Sequence, residues 1–172
     1  MDYRELNDRT IEDSWPLPHI ADTLDRMAGH EWYSSLDMAS GYWQVALRES
    51  DKPLTAFVTP HGQYQFKVLP FGLCNAPATF SRLVSRVMHG VPIDIASAYM
   101  DDILDVADDV GTMVEHLDGL LKRFGDVGLK FGPEKCHFFP EAREVPRSYT
   151  QQERNKHGPG ENECDSGLAA PH

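Results

Sequence analysis

At 172 residues, with 41% hydrophobic and 25% charged side chains, the chain can bury the core of one ordinary domain, and its composition excludes the disordered, fibrous and membrane classes. Three scattered cysteines, Cys74, Cys136 and Cys164, are too few for a disulfide framework. With no apolar run of about eighteen residues and no signal-like stretch after Met1, they lead us to expect a soluble cytoplasmic protein with no membrane partner. A formal net charge of -11 counts against simple electrostatic capture of nucleic acid, which needs clustered Lys and Arg.

From the start of the chain, the segment from Asp2 through Asn7 to Pro18 reads as an extended lead-in, because Pro16 and Pro18 exclude a regular helix or a central strand. Ile20, Ala21, Leu24 and Met27 have helical spacing, with Gly29 placed to end that helix. Trp32 to Met38 is rich in strand formers and stops at Ala39-Ser40-Gly41, which predicts a strand carrying Asp37 at its end. Leu54–Val58 and Tyr64–Val68 flank Pro60-His61-Gly62 and predict a hairpin. The clearest helix runs from Asn75 to His89, with Asn75 as cap, Pro77 in the first turn and an apolar face of Phe80, Leu83, Val84, Val87 and Met88. A further helix is expected to start with Thr112 and Glu115 in capping-box spacing and to stop near Gly128. Between these helices, Ile95–Val106 reads as two strands meeting at Asp101-Asp102, which places that acidic pair at a hairpin tip. From Glu141 to His172 there is no period and few large apolar residues, so residues 1–140 are expected to form the folded unit and 141–172 an unstructured tail.

Three carboxylates, Asp37, Asp101 and Asp102, lie beside strand formers rather than on a polar face. Strand ends that converge bring such groups together, and converging carboxylates repel unless a divalent cation neutralises them. Two such cations suit in-line attack on a phosphate. The plainer alternative is that Asp37 is a cap and that Asp101-Asp102 is only a turn, where Asp is common.

The blocks Leu36-Asp37-Met38-Ala39-Ser40-Gly41-Tyr42-Trp43-Gln44, Leu69-Pro70-Phe71-Gly72-Leu73-Cys74-Asn75-Ala76-Pro77-Ala78-Thr79-Phe80, Tyr99-Met100-Asp101-Asp102, and Gly128-Leu129-Lys130 through Phe139 stand in a fixed order. In order and spacing they resemble the reverse transcriptase family, most closely that of gypsy-like long-terminal-repeat retrotransposons, over roughly residues 2 to 140. The resemblance implies an α+β fold: a right-hand polymerase palm, an antiparallel sheet with the Asn75 and Thr112 helices on one face, plus part of the fingers. It implies RNA-directed DNA polymerisation, in which Asp37, Asp101 and Asp102 hold two magnesium (or manganese) ions and Met100 lies beside the primer terminus. Tyr42 matches the family's aromatic gate against a ribose 2′-hydroxyl, with ordinary core packing as its alternative. Phe71 and Gly72 match the segment that shapes the nucleotide pocket, and Arg4 the template-contacting fingers beside it. Lys135 matches a lysine near the nucleotide phosphates, with a solvated lysine as its alternative. The implied partners are an RNA or DNA template with its primer and deoxynucleoside triphosphates.

The chain departs from that pattern in three places. The finger residues that precede the Asp2–Asn7 block in the family are not in it. Asp105 stands where an aliphatic strand residue is expected, and a buried unpaired carboxylate costs several kcal/mol or keeps its proton, which reads as decay. After Phe139 the family continues with an apolar strand and a Leu-Gly-His primer grip, yet this chain gives Glu144-Val145-Pro146-Arg147-Ser148-Tyr149. Back-translated from Glu144 and moved forward one base, the codons can spell Arg-Tyr-Leu-Gly-His-Ile-Leu. A frameshift near residue 144 is therefore expected, which would remove the primer grip, thumb, connection and ribonuclease H parts. The rival readings are a non-catalytic remnant that binds metal and nucleic acid weakly, and a two-metal nuclease, which leaves the Leu69–Phe80 block unexplained.

Overall fold

The computed structural model describes residues 1–16, 23 and 27–139. In chain order the regular elements are α1 (Arg4–Asn7), β1 (Trp32–Asp37), β2 (Phe57–Thr59), β3 (Gly62–Tyr64), α2 (Ala76–Val87), β4 (Ala96–Tyr99), β5 (Asp102–Ala107) and α3 (Val110–Asp126), with single 3-10 turns at Gly41–Gln44, Lys52–Thr55 and Pro133–Lys135. Most of the Ile20–Met27 helix and all of the 141–172 tail lie outside the described residues. No helix among the described residues is long and apolar enough to cross a membrane.

The central sheet has the order β1-β5-β4 and is antiparallel throughout. Side chains alternate between its faces, so Ile103, Asp105 and Ala107 of β5 face one way while Asp102, Leu104 and Val106 face the other. Cross-strand partners share a face, which sets Leu36 and Ala98 beside Ile103. On this side Phe80, Val84 and Val87 from α2 and Met113, Leu117, Leu120 and Phe124 from α3 complete one core with Leu36 and Ile103. Phe80, Phe124, Leu36 and Ile103 are fully buried, each contributing roughly 1.5–3 kcal/mol. Both helices thus cover one face of the sheet, as the resemblance implied.

The two helices end as their sequences dictate, with one shift in start. α2 follows Asn75, takes Pro77 into its first turn and gives way to Gly90 at φ +82°. α3 begins at Val110, before Thr112, because Asp109 is the cap: its side chain accepts from the Thr112 backbone N–H at 3.0 Å. Thr112 is therefore already in the first turn, and its hydroxyl donates to the same carboxylate at 2.6 Å.

Two further expectations are corrected. The 57–64 hairpin is shorter than its sequence suggests, since Pro53 starts a 3-10 turn at Lys52–Thr55 and residues beyond Tyr64 pair elsewhere. Leu69 N–H donates to Val45 and Leu47 N–H to Lys67, tying 67–69 to 45–47. The lead-in is extended only in part: Asp2 accepts from the Arg4 backbone N–H at 3.1 Å and opens the short α1.

Asp105 is buried as expected, at 0% exposure, and neither of its carboxylate oxygens has a hydrogen bond, although His116 lies within ion-pair distance. His116 of α3 places Nδ1 3.3 Å from Asp105 Oδ1 and 3.2 Å from the Val106 carbonyl. Burial pushes the Asp105 carboxyl up to about 6, with His116 opposing that shift. The folded state holds this proton more tightly than the unfolded chain, whose Asp titrates near 3.8. Stability is therefore full below about pH 4 and lost as pH rises through about 6, a difference of about 3 kcal/mol. In urea unfolding, Asp105→Asn should gain on the wild type across that window and lead by roughly 3 kcal/mol at pH 7. A difference that stays flat from pH 4 to 7 would mean that His116 fully offsets the burial.

Candidate active site

The carboxylates singled out in the sequence meet because of strand register. Asp37 ends β1, Asp102 begins β5, and the two are direct cross-strand partners, with side chains on the face that the helices leave open. Tyr99 pairs with Asp102 across β4 and β5, so Met100 and Asp101 form a two-residue hairpin loop. Met100 adopts φ +52°, the left-handed region that tight hairpins require and that Met seldom occupies. The Asp101 carbonyl accepts from Met38 N–H at 3.0 Å, which ties the loop to the end of β1.

Gly41 makes room for the Asp101 carboxylate. A Cβ there would lie 2.8 Å from Asp101 Oδ1 and 3.0 Å from Phe80 Cζ. Tyr42, next in the Gly41–Gln44 turn, packs against Phe71 and Phe80 at ring separations of 5.1 and 5.5 Å. Burial, and after it the Asp101 charge, push the Tyr42 hydroxyl above its usual range. Trp43 meets Phe71 edge-on at 5.8 Å, and Phe71 and Trp43 are both about half exposed. An aromatic surface therefore extends outward from Tyr42 beside the acids.

Asp37 is held from the other side by the segment that follows α3. Gly132 N–H donates to the Asp37 carbonyl at 2.9 Å, and Ser35 and His137 exchange backbone hydrogen bonds. Lys135 brings Nζ to 3.5 Å from Asp37 Oδ1, a buried oxygen with no hydrogen bond. Cys136 packs its sulfur 3.8 Å from the Asp37 carbonyl, and burial pushes its thiol up. Cys136 and His137 thus serve the edge of the sheet.

Gly72 and Arg4 lie on the neighbouring surface. Gly72 takes φ +94°, and its carbonyl accepts from Asn7 Nδ2 at 2.9 Å while Asn7 Oδ1 accepts from Cys74 N–H at 3.0 Å. Asn75 does not cap α2 with its side chain; it binds Ile11 and Asp13 backbone groups instead. Two asparagines thus fasten the N-terminal segment to the loop after Phe71. Arg4, in the same segment, is exposed and pairs with Asp2, and among the described residues its ion pair is with Asp2 rather than with the three site carboxylates.

The structure therefore brings Asp37, Asp101, Asp102, Met100, Tyr42, Phe71 and Lys135 to one surface, with Gly72 next to it and Arg4 apart. Among the described residues no three His, Cys, Asp or Glu side chains stand close enough together to hold a metal ion as they are. The site nevertheless suits a cation: two acids are locked opposite each other, a glycine leaves space at the third, and a buried Asp37 oxygen has no hydrogen bond. Gly41, Gln44 and Asn7 were not recognised as site residues from sequence; Gly41 and Gln44 were visible only as members of the Asp37 block.

The reverse transcriptase (RNA-dependent DNA polymerase) family matches residues 1–153. The chain is 37% identical over 139 residues to the retrovirus-related Pol polyprotein from transposon 412 of Drosophila melanogaster, a match covering 81% of this chain and 11% of that one. Its match to the Pol polyprotein from transposon gypsy of the same organism is 35% identical over 144 residues, covering 84% of this chain and 14% of that one. It therefore spans a small part of the length of these relatives. The foamy viral protease-reverse transcriptase in complex with an RNA/DNA hybrid shares the fold, at TM-score 0.73 and 24% identity over 80% of this chain and 18% of that one. The chain belongs to the reverse transcriptase (RNA-dependent DNA polymerase) family.

Proposed function

We propose that this surface adds deoxynucleotides to a primer 3′-end under the direction of an RNA or DNA template. The observation that carries the reading is the register that sets Asp37 opposite Asp102 with Asp101 in the adjoining loop. Two magnesium or manganese ions held by Asp37, Asp101 and Asp102 would supply the charge that activates the primer hydroxyl and steadies the leaving pyrophosphate. Tyr42, backed by Phe71 and Phe80, offers a ring edge beneath an incoming sugar, where a 2′-hydroxyl would meet it. Lys135 lies where it can leave Asp37 for a nucleotide phosphate, since its side chain is mostly exposed. Met100 forms the loop beside the primer end, and Arg4, free of the acids, suits template contact from the N-terminal side. The foamy viral relative in complex with an RNA/DNA hybrid supports a nucleic-acid partner.

A second reading, a folded remnant that binds metal and nucleic acid weakly, is favoured by one feature: Asp105 puts a charge into the interior of the central strand. Primer extension by the full chain with Mg2+ or Mn2+ separates the two. Extension that Asp101→Asn abolishes is expected from the polymerase reading, and its absence in the wild type is expected from the remnant.

Gly41→Ala should be nearly as damaging, because the new methyl must displace the Asp101 carboxylate or Phe80. A displacement of that size costs roughly 100-fold in rate, with the circular dichroism spectrum unchanged. Wild-type extension in this variant would show that Asp101 need not stand where it does.

We also propose that the coding frame shifts near residue 144, making 141–172 a misread primer-grip region. Sequencing the coding DNA and its transcript beyond Phe139 should find wobble bases that spell Leu-Gly-His in the next frame; other bases there would make the tail genuine.

A further inference from the structure

The side chain of Gln44 makes three hydrogen bonds, all to backbone. Nε2 donates to the Ala39 carbonyl at 2.7 Å and to the Lys130 carbonyl at 2.8 Å, and Oε1 accepts from Lys130 N–H at 2.6 Å. Ala39 N–H donates to the same Lys130 carbonyl at 3.0 Å. The chain from Ala39 to Gln44 is thus closed into a small ring and pinned to the strand-like segment that flanks Asp37. Within that ring, Trp43 N–H donates to the Ser40 carbonyl at 2.8 Å.

Two features show that this ring is held against resistance. Ser40 has φ +53°, a conformation that persists in a non-glycine residue only where its surroundings fix it. Gly41 lies tight against Asp101 and Phe80, so the loop cannot shift inward. Tyr42 is the residue between these constraints and the Gln44 clamp, and its ring packs on Phe71 and Phe80. A ring that tells a deoxyribose from a ribose by one hydroxyl must be held to within about an ångström. Phe80 and half-exposed Phe71 hold the ring only from its sides, whereas the three backbone hydrogen bonds of the Gln44 amide fix the backbone that carries it.

We propose that Gln44 is a positioning residue that sets sugar selectivity through Tyr42. The proposal rests on Tyr42 being the sugar gate. A merely structural glutamine would hold the sheet edge and leave selectivity alone.

The test uses the full chain, Gln44→Ala, the isosteric Gln44→Glu and Tyr42→Ala. Gln44→Glu keeps the shape but offers no donor to the Ala39 and Lys130 carbonyls. Binding of dGTP and of GTP with Mg2+ is measured by equilibrium dialysis, and amide exchange is followed by mass spectrometry. The wild type is expected to prefer dGTP, and Tyr42→Ala to lose that preference. Both Gln44 variants should reduce it on the order of tenfold, the effect of losing a set of hydrogen bonds, while exchange over residues 39–46 rises and exchange over 102–107 does not change. Gln44 variants that keep the wild-type preference while Tyr42→Ala loses it would overturn the proposal and leave the gate standing. A Tyr42→Ala protein that keeps the preference, or a wild type that has none, would overturn the gate and the Gln44 role with it. The dialysis readout does not depend on primer extension.

Discussion

Everything at this surface depends on the antiparallel register of β1 with β5, which sets the Asp37 carboxylate directly across from that of Asp102. A sheet does not adopt such a pairing for its own stability, since like charges placed directly opposite weaken a strand pair. The core on the other face fixes it: Leu36 and Ile103, one residue inward on each strand, are partners and fully buried. A slip of one residue would turn those side chains to solvent. Hydrophobic burial on one face thus holds repelling carboxylates together on the other.

The acids are then framed by backbone from three parts of the chain. The hairpin loop supplies Asp101, the Gly41–Gln44 turn fits against it, and residues 130–137 run along the free edge of β1. Covering that edge satisfies the β1 groups that pairing with β5 leaves open. It also carries Lys135 to Asp37, the one cation within ion-pair distance of that carboxylate among the described residues. Lys135 partly offsets the repulsion between the acids, and a bound cation would relieve it of that role.

Much of this was legible in the sequence because the cues were local. Strand formers leading to Asp37, a helical face from Phe80 to Met88, and strand-like runs meeting at the acidic pair each read correctly from neighbouring residues, although the loop is Met100-Asp101 and Asp102 already pairs in β5. The misses came where a distant partner decided the outcome. Val68 pairs back to Ala46, which no pattern within 54–68 announces, so the hairpin is shorter than that stretch suggests. Asn75 looked like a cap because Asn often is one, but the N-terminal segment claims its side chain. Thr112 and Glu115 have capping-box spacing, yet Asp109, three residues earlier, caps α3 by accepting a hydrogen bond from the Thr112 N–H. For Gln44 and Gly41 the sequence shows the residue type, but only the fold shows that Lys130 and Asp101 are what they meet.

The buried Asp105 is best understood through the same alternation. It lies three residues after Asp102 in the central strand, so the two side chains project from opposite faces. Asp102 belongs to the open face and Asp105 to the helix-covered one, where His116 meets it. A charge on the covered face loosens the hold of α3 on the sheet and lowers stability as the pH rises. It does not add a carboxylate to the acidic surface, nor does it remove one. Loss of stability and loss of chemistry are thus carried by different faces of one strand, and an aliphatic residue at position 105 would restore the first without altering the second. The departure at Asp105 therefore bears on how long this chain stays folded at neutral pH, while its capacity for chemistry is decided by the residues opposite β1.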